Sequence, residues 1–137
     1  MQNSDGYVIK LEIPSEIKLI YVLDSIISEI LREMEFDEES REQVNLAVIE
    51  AGTNAIKHGN QNDPNKTAYF QFGVYPDKIT IKVRDEGKGF EIEQVDDPLD
   101  PENLLRTNGR GIFLIQACMD EIEFNEIGNE ISMIKYK

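Results

Sequence analysis

The chain has 137 residues, of which 40% are hydrophobic and 30% are charged, a composition that suits one globular domain spanning residues 1–137. Its formal net charge of −13 argues against binding to nucleic acid or to an anionic membrane, because both need a clustered basic surface. No charged segment followed by an apolar stretch opens the chain, and no apolar run reaches membrane-spanning length. The single cysteine, Cys118, rules out an internal disulfide, so we expect a cytoplasmic protein.

The first part of the chain predicts one strand followed by two helices. Residues 7–13 alternate between apolar and polar side chains up to Pro14, which is typical of a strand. Ser15 is the predicted N-cap of a helix that runs to about Met34. Asp37, followed by two glutamates, is the predicted N-cap of a second helix that ends at Gly59.

The first helix carries more apolar residues than one packed face requires. Its predicted core stripe is Ile20, Leu23, Ile27, Ile30 and Met34. A second apolar row consists of Leu19, Val22 and Ile26. Two interpretations stay open for this row: together with the first strand it meets a partner or a second copy of the chain, the latter predicting a homodimer, or a loop of the same chain covers it.

The second part of the chain predicts two hairpins separated by a helix. The predicted elements are strands at 67–75 and 78–84 around a Pro76-Asp77 turn, a helix from Ile112 to about Met119, and strands at 121–126 and 130–136 around Gly128-Asn129. This order is not an alternating βαβ series. The predicted fold class is therefore α+β, a two-layer sandwich of a mostly antiparallel mixed sheet with helices on one face.

Polar residues interrupt the second helix where its other residues predict burial. Glu50 and Asn54 are one turn apart and Lys57 is three residues further on, so the three share one face of an otherwise apolar segment. A buried carboxylate without partners costs several kcal/mol. This stripe therefore either faces open solvent or lines a pocket in which it performs chemistry.

Two glycine-rich segments predict ligand contacts. Asp85-x-Gly87-x-Gly89 follows a strand directly, and its carboxylate is an acceptor suited to an exocyclic amine; taken alone, this pattern is also common in ordinary turns. Asn108-Gly109-Arg110-Gly111 precedes an apolar helix, where free backbone N–H groups favour anions and Arg110 adds a charge-assisted contact. Neither segment is a Rossmann fingerprint or a P-loop.

Taken together and in this order, these blocks resemble the nucleotide-binding boxes of the GHKL (Bergerat-fold) ATPase superfamily. Glu50-x-x-x-Asn54 is similar to its N box, Asp85-x-Gly87-x-Gly89 to its first glycine box, and Gly109-Arg110-Gly111 to its second. The resemblance implies that Glu50 is a general base and that Asn54 holds Mg²⁺ on the phosphates of ATP. It implies that Asp85 reads the adenine amine beside Gly87 and Gly89, that Asn108, Gly109, Arg110 and Gly111 bind phosphate, and that residues 91–108 form an ATP lid.

Within this superfamily the chain most resembles the stand-alone anti-sigma-factor serine kinases of bacteria. The segments that carry this likeness are Asn54-Ala55-Ile56-Lys57-His58-Gly59 and Gly109-Arg110-Gly111-Ile112-Phe113-Leu114-Ile115. It implies a protein that binds a sigma factor and phosphorylates a serine of a STAS-type anti-anti-sigma factor. Two alternatives stay open: a non-catalytic ATP-binding module that only sequesters a partner, and a histidine-kinase catalytic domain that acts in trans.

Overall fold

The computed structural model describes residues 6–88 and 107–137, with side chains in the second range from residue 111 onward. The elements are β1 Tyr7–Pro14, α1 Ile20–Glu33, α2 Glu38–Asn54, β2 Thr67–Tyr75, β3 Lys78–Arg84, α3 Thr107–Cys118, β4 Glu121–Phe124 and β5 Glu130–Tyr136. A 3-10 turn, Ile17–Leu19, precedes α1, and a π-helical turn, Ala55–Gly59, continues α2. The order is the one that the sequence predicts. None of the helices in these two ranges is long and apolar enough to cross a membrane.

The five strands form one sheet in the order β1-β2-β3-β5-β4. All four pairings among these described strands are antiparallel, so the parallel pairing that a mixed sheet requires does not occur among them. The Pro76-Asp77 turn places Tyr75 opposite Lys78, as predicted. The chain leaves the sheet after β3 and returns at its edge as β4, and β5 then fills the position between β4 and β3.

The three helices described here pack on one face of the sheet, as predicted, and α2 lies between α1 and α3. The sheet face beneath them is lined by side chains with almost no exposure, among them Phe70, Phe72, Ile79, Ile81 and Met133. Burial of this apolar area is the main stabilising contribution to the fold. Two details of the predicted helix faces are wrong: Leu31 is fully buried whereas Ile20 is only half-buried, and Leu46 of α2 is 45% exposed.

The predicted cap of α1 is wrong, whereas that of α2 is confirmed. Asp37 accepts a hydrogen bond from the Ser40 amide at 2.7 Å. Ser15, however, caps nothing, because it is completely buried and its hydroxyl donates to the Lys66 carbonyl at 2.8 Å. Its backbone amide donates to the same carbonyl at 3.0 Å, so Ser15 prolongs the β1–β2 pairing. The helix begins only after the 3-10 turn, where no side chain caps it.

A buried asparagine, Asn60, connects the end of α2 to the sheet. Its Nδ2 donates to Ser15 Oγ at 2.7 Å and to the Thr67 carbonyl at 3.0 Å. Its Oδ1 accepts from the Glu86 amide at 2.7 Å. Asn60 is fully buried, and every polar atom of its side chain is paired. Such a satisfied network fixes geometry, because each alternative arrangement leaves a buried polar group unpaired.

We expect Asn60→Ala to lower the free energy of unfolding by about 2–3 kcal/mol, since it leaves the Glu86 amide without an acceptor and removes the donor to the Ser15 hydroxyl and the Thr67 carbonyl. Urea denaturation measures the change. Asn65→Ala is the matched control, because Asn65 is exposed and an exposed substitution changes stability by less than about 0.5 kcal/mol. Equal midpoints for the two variants would show that the network contributes nothing.

Candidate nucleotide and phosphoryl-transfer site

The polar stripe of α2 faces α3 across the predicted second glycine box. A Cβ atom built at Gly111 would lie 2.8 Å from Asn54 Nδ2 and 3.0 Å from Glu50 Oε2. Both side chains therefore point toward the backbone of α3, and any residue other than glycine at position 111 would have to displace them. This contact brings Glu50, Asn54 and Gly111 together. It also excludes the interpretation that Glu50 and Asn54 face only open solvent, whereas Lys57, the third residue of the stripe, is exposed.

The side-chain carbonyl of Asn54 has the chemistry expected of a cation ligand. Among the described residues, Asn54 Oδ1 is the one buried side-chain atom that has no hydrogen-bond partner. Buried polar atoms without partners are rare, and an ion that binds there is one explanation. An amide oxygen suits Mg²⁺, which keeps several waters and takes few protein ligands. Within residues 6–88 and 107–137 no cluster of three or more acidic, His or Cys side chains forms a larger metal site.

The π-helical turn Ala55–Gly59 brings the end of α2 against the predicted first glycine box. A Cβ atom at Gly59 would lie 2.2 Å from Oδ2 of Asp85, so the carboxylate lies directly against the glycine backbone. A Cβ atom at Gly87 would lie 2.3 Å from the Gly59 carbonyl oxygen. Glycine is therefore required at both positions, because a Cβ atom at either one would clash with these neighbouring atoms. Single π-turns inside helices are frequent at functional sites.

The Asp85 carboxylate is half-buried and only partly satisfied. Its Oδ1 accepts a hydrogen bond from the Gly87 amide at 2.7 Å, and no described residue donates to Oδ2. Burial raises the pKa of Asp85 above its ordinary value, and the Gly87 amide, Arg84 and Lys66 oppose this shift. The fold therefore holds a carboxylate at a cost in stability, with one oxygen left for a donor on a ligand.

A cavity of about 120 Å³ lies between the end of α2, α3 and the ends of β3 and β5. Its polar lining comprises Asn54, His58, Asp85, Asn129 and Glu130, and its apolar lining comprises Ala51, Ala55, Val83, Ile112, Ile115, Phe124 and Ile131. Apolar walls with a few polar groups along one side suit a ligand ring whose polar edge faces those groups.

The structure groups most of the predicted site residues in two neighbouring places. Asp85 lines the cavity with Gly59, Asn54 lies on its border, and Glu50 lies beside Asn54 but is not part of the lining. Gly89 and residues 91–106 of the predicted lid lie outside the described residues. Asn108, Gly109 and Arg110 are described only as backbone.

The second glycine box lies inside a helix rather than ahead of one, which corrects the prediction. α3 begins at Thr107, so Asn108, Gly109 and Arg110 belong to its first turn. The first four N–H groups of a helix have no intrahelical partner. These residues therefore still present free donors at a helix N-terminus, the arrangement that favours anions.

The sequence interpretation missed Asn60, which positions the Asp85 segment through the Glu86 amide. The pattern Gly128-Asn129 predicted a turn, which it forms, and the family resemblance left a base or phosphate contact at this turn open. Asn129 borders the cavity beside Asp85. Both contacts join residues that are far apart in sequence.

The fold and these boxes define an ATPase domain of the histidine-kinase type. A family profile described as the histidine kinase-like ATPase domain matches residues 13–135, and the chain belongs to that family. The match confirms the GHKL-type superfamily that the sequence motifs predicted.

Relatives match this chain from end to end. The serine-protein kinase RsbW of Oceanobacillus iheyensis is 34% identical over 99% of this chain and 89% of its own length. The serine-protein kinases RsbW of Bacillus subtilis and Staphylococcus epidermidis are 29% and 32% identical, also over 99% of this chain and over 89% and 90% of their own lengths.

A solved structure shares the fold. The crystal structure of the RsbU and RsbW domains of a Mycobacterium tuberculosis protein matches 95% of this chain with a TM-score of 0.60 and 13% identity. This chain spans 32% of that longer protein. The likeness confirms the predicted α+β architecture.

We expect Asp85→Asn to weaken ATP binding by about tenfold or more, because the amide would turn an N–H group toward the base amine. The free energy of unfolding at neutral pH should stay equal or rise slightly, since the raised pKa of Asp85 means that the folded state disfavours the charged carboxylate. That cost disappears as the pH falls through the raised pKa, so wild type should gain stability relative to the variant on acidification.

Calorimetry with ATP and urea denaturation at several pH values test both parts. Asp77→Asn, in the exposed β2–β3 turn, controls for the loss of one negative charge. A variant that binds ATP as tightly as wild type would remove Asp85 as a base contact.

Proposed function

We propose that residues 1–137 act as one domain, an Mg-ATP-dependent protein serine kinase that is also an anti-sigma factor. The kinase class is confirmed by the relatives, which are named serine-protein kinases and match nearly the whole chain. The observation that carries the catalytic part of the proposal is the pair of Glu50 and Asn54, whose Oε2 and Nδ2 atoms face α3 at Gly111 while the Asn54 carbonyl oxygen has no partner among the described residues.

Glu50 is proposed as the general base. Transfer of the γ-phosphoryl group to serine requires that the hydroxyl proton leaves as the new oxygen–phosphorus bond forms and the bond to ADP breaks. A carboxylate on a rigid helix accepts that proton. Glu50 is half-buried, so it is sheltered from bulk water while one edge remains accessible. Because Glu50 lies one turn before Asn54, the proposed base and the proposed Mg²⁺ ligand lie on the same face of α2.

Asn54 is proposed as the residue that holds Mg²⁺. When bound, the cation neutralises charge on the phosphates of ATP, which matters in a chain whose net charge is −13. The contribution of this chain is the orientation of the Asn54 oxygen. That atom is buried and has no partner among the described residues, and the amide nitrogen of the same side chain faces α3 at Gly111.

The proposed partners are a sigma factor and a STAS-type anti-anti-sigma factor that carries the phosphorylated serine. The sequence likeness described above supports both, and neither nucleic acid nor a membrane is a proposed partner of so acidic a chain. A cytoplasmic location goes with this proposal, since ATP and the transcription machinery are found there. Because the two partners would compete for one kinase, the phosphorylation state of the anti-anti-sigma factor would determine whether the sigma factor is bound or released.

We expect Glu50→Gln to keep ATP affinity in the presence of Mg²⁺ within about threefold and to lower serine phosphorylation by about 100-fold or more, because a neutral amide cannot accept the proton. The assay combines calorimetry with transfer of labelled phosphate from ATP to STAS-domain proteins of the same organism. Glu42→Gln, an exposed carboxylate on the same helix, is the matched control.

Three outcomes would contradict parts of this proposal. Full transfer by Glu50→Gln would remove Glu50 as the base. Transfer whose product is lost in acid would indicate phosphohistidine and a histidine-kinase domain. ATP binding by wild type without transfer to any STAS protein would leave a non-catalytic, partner-sequestering module.

A homodimer through the edge strand β1 is also proposed. β1 pairs only with β2 among the described strands, so its other edge offers free backbone groups, which promote pairing with another chain. Large apolar side chains are exposed on β1 and around the start of α1, namely Tyr7, Val8, Ile17 and Tyr21. All three residues of the predicted row are half-buried, and two of them, Leu19 and Ile26, pack against the core, so the exposed residues are the better candidates for the interface.

The charges of β1 are complementary to themselves in one antiparallel register. A two-fold axis at Leu11 would place Lys10 of each copy opposite Glu12 of the other. Both side chains are exposed and stand on the sheet face away from the helices, across from Gln71 and Tyr69 of β2. Opposite charges in such cross-strand pairs are each worth about 0.2–1 kcal/mol, and like charges destabilise by similar amounts.

We expect Lys10→Glu and Glu12→Lys each to weaken the dimer about tenfold, because each places two like-charged pairs across the axis. A mixture of the two variants should form a heterodimer of nearly wild-type affinity, since opposite charges then face each other again. Sedimentation at low salt measures both, with Lys82→Glu, exposed on β3, as the control. A monomeric wild type would overturn the homodimer, and unaffected variants would overturn the β1 register.

A further inference from the structure

A lysine lies on the helix-facing side of the sheet, where its neighbours are apolar. Position 135 of β5 continues the inward row of Ile131 and Met133, and it is paired with Ile79 of β3, which is fully buried. Lys135 is only 8% exposed, and among the residues whose side chains are described it is the one charged residue buried to this degree. Lysine is almost never buried unless its charge is paired, so the partners of this ammonium group indicate its role.

The ammonium group of Lys135 connects three elements of the fold. It donates to the backbone carbonyl of Cys118, the last residue of α3, at 2.8 Å. It also donates to Gln43 Oε1 of α2 at 2.8 Å, and Asp120 Oδ1 lies 3.9 Å from it. A cation at the C-terminus of a helix is favourable, because the last carbonyl groups have no intrahelical partners. Lys135 therefore ties the end of α3 both to α2 and to the sheet.

Two contacts, one near each end of the helix pair, fix how α3 lies along α2. At one end Lys135 joins Gln43 to Cys118, and at the other Gly111 lies against Glu50 and the following turn of α2. Gln43 and Glu50 are seven residues apart and share one helix face, and Gly111 and Cys118 are also seven residues apart. Seven residues span about 10 Å of helix, so the two contacts match in spacing on two helices that run in opposite directions.

We propose that Lys135 is a positioning residue for phosphoryl transfer, which it serves by fixing α3 along α2 so that the Gly111 backbone holds Glu50 and Asn54 in place. This inference rests on the proposed kinase function and extends it to a residue at the opposite end of α3. Without the ammonium group, the Cys118 carbonyl loses its link to α2, and α3 is free to shift. A misplacement of about 1 Å in an active site can lower a rate about 100-fold.

The contacts at the base end of the site do not depend on Lys135. The hydrogen bonds around Asp85 and Glu86 join the end of β3 to the β4–β5 turn and to the end of α2, and none of them uses a residue of α3. A shift of α3 therefore disturbs the surroundings of Glu50 and Asn54 more than it disturbs these contacts. The proposal accordingly predicts a loss of transfer rate with little loss of nucleotide affinity.

We expect Lys135→Met, which keeps an unbranched stem but lacks the charge, to lower the kcat of serine phosphorylation about tenfold or more while KM for ATP stays within about threefold. The assay uses the full chain and STAS-domain proteins of the same organism, below the melting temperature of each variant. Lys78→Met, half-buried on the opposite face of the sheet, is the matched control for the loss of one lysine.

Nuclear magnetic resonance spectra of the full chain without nucleotide give a readout that needs no activity. Lys135→Met should move the signals of the Gly111 backbone amide and the Asn54 side-chain amide, because a shift of α3 changes their contact. The amide signals of Gly59 and Gly87, at the base end, should stay in place. A role limited to stability leaves all four signals unchanged in the folded protein.

Gln43 tests the same contact from the side of α2. Gln43→Leu removes the acceptor and should lower kcat about threefold or more, since one of the two hydrogen bonds of Lys135 is lost. Gln43→Glu keeps an acceptor for Lys135, so its kcat should remain that of wild type. Because Gln43 is only half-buried, this pair of variants keeps the inference testable even if Lys135→Met does not fold.

The outcomes separate this inference from the function on which it rests. A wild type that binds no ATP, or that transfers no phosphate, would overturn the proposed function, and the spectra would still decide whether Lys135 fixes the contact at Gly111. Unchanged kcat in Lys135→Met, or unchanged signals of Gly111 and Asn54, would overturn the positioning role. Equal losses of kcat in Gln43→Glu and Gln43→Leu would overturn the link through Gln43.

Discussion

The contact on which the site depends is the one between the Asp85 carboxylate and the backbone of Gly59. It joins the end of α2 to the end of β3, with the carboxylate against a glycine that has no room for a Cβ atom. The π-helical turn Ala55–Gly59 ends at this contact. Asn60 stabilises the contact, because its Oδ1 accepts a hydrogen bond from the Glu86 amide. Nearly every feature of the cavity follows from this junction, because it fixes where the polar stripe of α2 lies relative to the sheet.

The site is maintained against a local cost in stability. Asp85 is kept partly buried with a raised pKa, and Asn54 Oδ1 is buried without a partner among the described residues. Gly111, beyond the first turn of α3, costs about 1 kcal/mol relative to alanine in a helix interior. The large apolar core beneath the helices offsets these costs. Such local conflicts with folding preference are expected where a protein binds a ligand rather than where it only packs.

The strands were predictable from the sequence because their signals lie within a few neighbouring residues. The family was predictable because several motifs occur together in one order. β2, β3 and β5 have strong apolar alternation bounded by turn residues, and Asp37 precedes two acidic residues as an N-cap should. The GHKL boxes are weak singly but specific in combination. The sequence did not reveal that Ser15 belongs to the sheet, since the hydroxyl that a cap would use instead meets Lys66, 51 residues away.

The start of α3 and the role of the buried Asn60 were missed for a related reason. The two glycines of the second glycine box indicated a loop. The close packing of Gly111 against Glu50 and Asn54 overrides the low helix propensity of glycine, so this segment is helical. Asn60 looks like an ordinary loop residue in sequence. Its value comes from partners that only the fold assembles, such as Ser15, 45 residues away. No periodicity marks a residue whose role is to satisfy other polar groups.

The two ends of the site are built by different means, and this difference has a mechanical consequence. The base end is fixed by hydrogen bonds that join the end of β3, the β4–β5 turn and the end of α2 to one another. The catalytic end consists of two helices that meet at Gly111. A small displacement of α3 would therefore change the surroundings of Glu50 and Asn54 while the base contacts stay intact. In such an arrangement nucleotide binding and phosphoryl transfer need not change together, which suits a proposed kinase that also holds a partner without phosphorylating it.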